Sequence, residues 1–379
     1  MFWSILKTIF DLGFGIAGIY YVAAFISAWQ FHVTKDEGRN DFLPSVSVLK
    51  PLHGAEPQLY ENLASFCRQD YGDYEVLLAV DSSEDAAIPT VHQLIRDFPA
   101  ASIRLFIGTE ARGSNNKVEK LCRLAREAHH DLLVVSDSDI RADRDYLRRV
   151  AAVFGDTRVG AATCFYRGIA RRNVWSELEA LHVSTDFLPG AFVARVLGVK
   201  FTFGATMAVT RKAIQDIGGF EALLDSAADD RELGHRIAER GYKVEVTRSV
   251  VETQCSSGSW RDFFRHQVRW GVVTRQSELA GYLGYVFAQG LPWAVAAAAM
   301  APSSRITVGF LAAYLVLRTV MALVVGDWVL GDRLVRKRWW MLPVHDAIGF
   351  LVWFVSLWVN RVYWQGEEYE SRQGRLSRV

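Results

Sequence analysis

The chain has 379 residues, half of them apolar, with a formal net charge of +1. That length exceeds one small core and allows a domain plus an accessory region, and the near-neutral balance lacks the basic surface a nucleic-acid partner favours. Four dispersed cysteines (Cys67, Cys122, Cys164 and Cys255) form no C-x-x-C pair, which argues against a zinc ribbon or a disulfide framework and fits a reducing compartment.

Residues 9–31, IFDLGFGIAGIYYVAAFISAWQF, form an apolar run whose one carboxylate is Asp11. A spanning helix needs about 20 such residues. The run is too long for the apolar core of a signal peptide and lacks a small-x-small cleavage site, so a retained anchor is expected. Lys35 and Arg39 follow it.

From there to about residue 280 the composition is mixed and charged, and short apolar runs alternate with helical patterns. SVSVL (45–49) reads as a strand and 56–69 as a helix with Leu59, Leu63 and Phe66 on one face. YEVLLAV (74–80) is a strand, 87–98 a helix, IRLFI (103–107) a strand, 116–130 a helix and DLLVVS (131–136) a strand. This β-α alternation, with strands apolar throughout, predicts an α/β fold whose mostly parallel sheet is covered on both faces. Further apolar runs stand at 282–301, 306–330 and 341–359. The first is broken by Gly290-Leu291-Pro292 and the last by Pro343-Val344-His345-Asp346, so one of the two is expected not to cross. The basic residues at 333–338, with Lys35 and Arg39, place both ends of the globular region in the cytoplasm by the positive-inside rule.

In such sheets ligands bind beyond the carboxyl ends of the strands. Asp81 and the pair Asp137 and Asp139, in VVSDSD, lie there. No G-x-G-x-x-G follows the first strand and no P-loop motif occurs, which disfavours both nucleotide folds. GSNNK (113–117) opens a helix and is a weak anion-loop signal. Two carboxylates one residue apart in extended backbone can converge on one Mg²⁺ or Mn²⁺, both of which take hard oxygen ligands. Taken alone they read equally well as a capped, solvated turn, and Asp81 as a turn residue. Asp229-Asp230 precedes a helix that Gly241 ends; a carboxylate there is a cap or a general base. Residues 260–276, WRDFFRHQVRWGVVTRQ, put Trp260, Phe263, Phe264 and Val268 on one face among arginines, which fits an in-plane helix at a membrane surface or an ordinary packed one.

These sites stand in the order Asp, DxD, Asp, xxRW. That order, together with 46–81, NNKVEKL (115–121), FGATMAVTRKAIQDIGGF (203–220), ADDRELGHRIAERGY (228–242) and RHQVRW (265–270), resembles the ceramide glucosyltransferase-like family and its bacterial hopanoid-associated relatives. The resemblance covers roughly residues 44–275. It implies a GT-A domain at 35–258, between an anchor at 1–34 and an interfacial helix at 259–280, then membrane segments at 281–360 and a tail at 361–379. It implies a cytoplasmic catalytic domain on the inner membrane of a bacterium, a UDP-sugar donor, a membrane-lipid acceptor and Mg²⁺ or Mn²⁺. By the same likeness Asp81, Lys117, Asp137, Arg269 and Trp270 bind the donor, Asp137 and Asp139 hold the metal, and Asp230 is the catalytic base. Gly204, Asp186 and His266 fall on the acceptor side, Asp186 being equally readable as a loop residue. The family has Gln or Arg where this chain has His266. Some ceramide glucosyltransferases have DSG where this chain has DSD. Glucosyl transfer to a ceramide-like lipid is the expected activity. Hexosyl or N-acetylglucosaminyl transfer to a hopanoid is the alternative, and a polysaccharide synthase or a non-catalytic scaffold a more distant one.

Overall fold

A computed structural model describes residues 1–34, 42–109, 113–364, 367–372 and 375–378; Lys35 and Arg39, which enter the orientation argument, lie outside the described residues. The chain divides into a strand-rich unit (Asp36–Tyr166, Lys200–Gln254, Trp364–Val379) and a helical unit (Met1–Lys35, Arg167–Val199, Cys255–Tyr363).

In the strand-rich unit, β1 (Val46–Pro51), β2 (Tyr74–Val80), β3 (Ser102–Ile107) and β4 (Leu132–Val135) pair in parallel in the order β3-β2-β1-β4. All residues of β1 and β4 are buried, as continuous apolar runs require, while β3 is half-exposed at the sheet edge. Helices α2 (Leu59–Cys67), α3 (Ile88–Asp97) and α4 (Asn116–Glu127) connect these strands. The α2 face is as expected, with Leu59, Leu63 and Phe66 buried. Beyond β4 the sheet turns antiparallel: β4 pairs with β7 (Met207–Thr210), β7 with β6 (Val159–Ala170), and β5 (Ile140–Arg141) with β8 (Lys243–Cys255). Helices α5 (Tyr146–Ala152), α8 (Arg211–Asp216) and α9 (Asp229–Glu239) also belong to this unit.

One core cluster joins Leu49, Leu77, Leu121, Val135 and Val209 of the sheet and α4 to Leu233 and Ile237 of α9. Arg211 donates to the carbonyls of Ala125, Ala128 and His130 at 3.0, 2.7 and 2.9 Å, satisfying the end of α4. Gly241, at φ +86°, ends α9 where a side chain would be strained. Because β1, β2 and β4 are parallel, Lys50, Asp81 and the Ser136–Asp139 stretch come out at one edge of the sheet.

The helical unit contains α1 (Phe2–Val33), α6 (Val174–His182), α7 (Leu188–Val196), α10 (Trp260–Ser277), α11 (Leu279–Gly284), α12 (Gly290–Ala299), α13 (Ser304–Ala322), α14 (Arg333–Arg338) and α15 (Leu342–Ser356). Three stretches, Phe2–Val33, Ser304–Val329 and Arg333–Ser356, are long and apolar enough to cross a membrane. The run at 282–301 is split into shorter apolar helices, neither long enough by itself to cross. Small residues let α1 approach closely: a Cβ on Gly13 would meet the Trp293 ring at 2.2 Å.

On α10 Trp260, Phe263 and Phe264 share a face as expected, the Trp260 ring lying 6.0 and 5.2 Å from the other two. Phe263 is buried with Leu178, Leu181, Ala322 and Leu342, and the inward stripe continues through Gln267 and Val272 rather than Val268, with Trp260 39% exposed. Gln267 lies one helical turn beyond Phe263, so packing of Phe263 turns it inward.

Candidate active site

Four expected site residues of the strand-rich unit, Lys117, Asp137, Asp230 and Gly204, meet around one ammonium group. Asn115 caps α4 by accepting from the N–H groups of Lys117 and Val118 at 3.0 and 3.3 Å. The cap fixes the first turn, from which Lys117 Nζ reaches Asp137 Oδ1 at 2.9 Å and Asp229 Oδ2 at 3.0 Å. Asn115 Nδ2 also donates to Ser226 O at 2.9 Å, tying the loop before α9 to the start of α4. Burial alone would depress the Lys117 ammonium, but Asp137, Asp229 and Asp230 outweigh it and hold it well above the usual lysine range.

Gly204 lies between the two acidic elements. Its N–H donates to Asp230 Oδ2 at 2.8 Å, and its carbonyl accepts from the Asp137 N–H at 3.2 Å. A Cβ at this position would stand 2.5 Å from Asp137 Oδ2 and 3.1 Å from Lys117 Nζ, so the close approach needs glycine. Asp230 Oδ1 accepts from the Arg231 N–H at 2.7 Å. Burial and the neighbouring Asp229 push the Asp230 carboxyl up to about 6, against the pull of Lys117.

Asp139 turns away from Lys117. Its Oδ2 accepts from Thr253 Oγ1 at 2.7 Å, on the strand β8 that pairs with β5. Burial and the charge of Asp137 push its carboxyl up to about 6. A third acid stands close by: Glu56 Oε2 accepts from Ser138 Oγ at 2.7 Å, and burial together with Asp139 raises Glu56 to about 7. Lys50, fully buried, donates to Ser136 Oγ at 3.1 Å and to the Asp137 carbonyl at 2.7 Å, and rests over the Phe66 ring. Burial pulls the Lys50 ammonium down to about 7, against the pull of Asp139 and Asp137. The DxD offers carboxylate oxygens, the ligand type a hard divalent cation takes, and such a cation would favour the ionisation of Asp139 that burial and Asp137 oppose.

Asp81 ends β2 and is paired with the buried Lys120 of α4, its own side chain 34% exposed. The nearby Asp85 clamps a turn instead, accepting from the N–H groups of Gly54 and Ala87 at 3.0 and 2.8 Å. By the family likeness Lys50, with Pro51, is expected to shape the loop after β1, and Asp229 is read with Asp230 as the acid pair before α9, whereas Glu56 is given no role by the sequence. Asp229 had a signal in the doubled acid of ADDRE. A single glutamate between Ala55 and Pro57 had none.

The remaining expected residues belong to the helical unit. His266 Nδ1 lies 2.7 Å from Glu179 Oε1, and Glu179 Oε2 accepts from the Ser257 N–H at 3.1 Å. Burial would raise the Glu179 carboxyl, but those hydrogen bonds outweigh it and keep it below the ordinary range. Burial lowers the His266 imidazole despite Glu179. The departure from Gln or Arg at this position thus comes with an acidic partner on α6. Trp270 packs on the rings of His266, Phe187 and His182, at 5.1, 5.4 and 5.9 Å between centroids. Arg269 precedes it on α10, half-buried. Asp186 is no plain loop residue: it sits in a helical segment between α6 and α7, its Oδ2 3.2 Å from His182 Nδ1, and it accepts from the Tyr285 hydroxyl.

Comparison with known proteins matches residues 15–377 to the family described as glycosyl transferase family 21. The chain is 27% identical over 253 residues to ceramide glucosyltransferase 3 of Caenorhabditis elegans, covering 66% of this chain and 55% of the relative. It is 31% identical over 134 residues to a ceramide glucosyltransferase of Gibberella zeae, covering 33% of this chain and 25% of that one. The chain spans about half the length of the nematode relatives it matches. Among solved structures, the mannosyltransferase PcManGT from Pyrobaculum calidifontis, in complex with GDP-Man and Mn2+, is similar over 94% of this chain and 99% of its own, with a TM-score of 0.56 and 20% identity. That likeness concerns the fold, which is GT-A-like.

Proposed function

The chain belongs to glycosyl transferase family 21, and on that premise we propose that it is a membrane-bound, inverting glycosyltransferase. It moves a sugar, glucose first among the candidates, from a UDP-sugar to the hydroxyl of a ceramide-like membrane lipid. The observation that carries this reading is the meeting of Lys117 with Asp137 and Asp229, and of Asp230 with Gly204 N–H, at the carboxyl ends of parallel strands.

In this reading Asp230 is the general base. Its carboxyl, lifted to about 6 by burial and Asp229, is ionised at neutral pH yet basic enough to take a proton. The lipid O–H passes its proton to Asp230 as the oxygen bonds to the anomeric carbon. The bond from that carbon to UDP breaks, and its electron pair leaves on the diphosphate. Gly204 N–H holds Asp230 in place. Lys117 offers positive charge to the diphosphate, and Asp81 contacts the uridine. Asp137 and Asp139 would hold Mg²⁺ or Mn²⁺, which supplies neutralisation of the charge developing on the leaving UDP. The family resemblance assigns Arg269 and Trp270 to donor binding and Asp186 to the acceptor side, and within the helical unit His266, paired with Glu179, holds the helix that bears Arg269 and Trp270. The resemblance and the basic residues after the apolar runs support a catalytic domain at the cytoplasmic face of a bacterial inner membrane, with α10 in the interface.

The test is transfer by the purified chain in phosphatidylcholine nanodiscs, supplied with UDP-glucose, Mn²⁺ and a short-chain ceramide. Mass spectrometry should show a β-linked glucosyl lipid, absent with Asp230→Asn. A variant that still turns over at the wild-type rate would overturn the base assignment. A wild-type protein that glycosylates no hydroxylated lipid would overturn the reading itself.

A further inference from the structure

Within the helical unit a cavity of about 10 Å³ is lined by Tyr20, Asp186, Tyr285, Gln289, Arg318 and Asp346, among others. Its volume suits a single oxygen-sized group. Gln289 is only 8% exposed, yet neither its Oε1 nor its Nε2 has a hydrogen-bond partner among the described residues, and the Tyr20 hydroxyl has none either. Buried polar groups are normally satisfied, so an orphaned carboxamide and phenol around one cavity point to a missing polar partner.

The charged groups lining the cavity are already engaged. Arg318 donates from Nε and Nη2 to Asp346 at 2.8 Å each and from Nη1 to the Thr185 carbonyl at 2.8 Å. Asp186 accepts from Tyr285 and faces His182. A phosphate entering here would find two carboxylates and, among the described lining residues, no uncommitted cation. A hydroxyl or an amide, which both donate and accept, would match Gln289 and Tyr20. Gln289 stands at the break between α11 and α12, and Leu283 and Phe287 on the turns before it are 46% and 40% exposed, an apolar flank for a lipid chain.

We propose that this cavity seats a hydroxyl or amide of the lipid acceptor, and that it selects a neutral, hydroxylated lipid head over a phosphate-bearing one. This rests on the proposed function for the acceptor's being a lipid.

The experiment uses the full chain in phosphatidylcholine nanodiscs and two readouts. The first is kinetics with UDP-glucose and short-chain ceramide. Gln289→Leu, close in size but unable to bond, should raise the ceramide KM about tenfold, and Tyr20→Phe about threefold, with the KM for UDP-glucose within about twofold. The second is photocrosslinking by a diazirine-bearing ceramide, which needs no turnover. It should label residues 279–299, need about tenfold more probe in Gln289→Leu, and be competed by diacylglycerol but not by a polyprenyl phosphate. A lower Tm with unchanged ceramide KM and unchanged labelling would mean a structural water only, and would overturn the proposal. So would equal competition by the polyprenyl phosphate. Labelling without transfer to any hydroxylated lipid would instead count against the proposed activity and leave the binding site standing.

Discussion

Lys117 places its ammonium between Asp137 and Asp229, 2.9 and 3.0 Å away, and so joins the end of β4 to the start of α9. Two elements far apart in the sequence are thereby held to one charge. Removing that charge leaves two carboxylates facing each other with Asp230 beside them.

Lys117→Met should therefore lower both activity and stability. Breaking a buried ion pair costs roughly 3–5 kcal/mol. Asp137 keeps 37% exposure here, so a loss of about 2–3 kcal/mol is expected, read as a drop in Tm. UDP-glucose binding should weaken more than tenfold. An unchanged Tm would show that the carboxylates are stabilised by something else.

Asp230 should set the acid limb of the pH profile. Its carboxyl is raised to about 6, so the base is lost as pH falls through that value and kcat/KM should drop tenfold per pH unit below it. Because Lys117 pulls the carboxyl down, Lys117→Met should move the limb upward. Asp230→Asn should abolish transfer and retain UDP binding. A limb that stays put in Lys117→Met would assign it to another group.

Gly204→Ala tests the close approach. The new methyl would sit 2.5 Å from Asp137 Oδ2 and 3.1 Å from Lys117 Nζ. Both are ends of side chains that can swing aside, so the fold should survive with Tm within a few degrees. Turnover should fall by about 10²-fold, since small misplacements of reacting groups are costly. Wild-type turnover would mean that the three groups need not meet.

The two DxD carboxylates should differ. Asp137 touches Lys117 and the Gly204 region, whereas Asp139 is held by Thr253. Asp137→Asn should abolish Mn²⁺-stimulated transfer. Asp139→Gly, which recreates the DSG of some relatives, should raise the Mn²⁺ needed for half-maximal rate while leaving measurable activity. Equal metal dependence before and after would remove the distinction. Titration of rate against Mn²⁺ decides it.

At His266 the Glu179 pairing leads to an asymmetry. His266→Gln keeps a donor for Glu179 and should cost less than about threefold in rate. Glu179→Leu leaves the Ser257 N–H and the imidazole without their acceptor and should cost about 2–3 kcal/mol. Equal loss in both variants would argue against the pairing as the reason for a histidine here.

The parallel half of the sheet and the place of its acids were legible in the residues alone. Tyr74–Val80 coincides with its expected strand, and Asp81, Asp137 and Asp139 follow their strands as read, because apolar runs must be buried and polar residues mark where burial stops. The break at Gly290 and the end of α9 at Gly241 were legible there too, since both depend on local backbone chemistry. The antiparallel extension, the grouping of Arg167–Val199 with the helical unit and the inward turn of Gln267 emerge from the packed fold. It alone also brought Lys117, Gly204 and Asp230 together, gave His266 its glutamate, and left Gln289 facing a cavity without a partner. Local periodicity and propensity are written in neighbouring residues. Pairing between distant ones is set by which surfaces meet, and no short stretch of sequence carries that information.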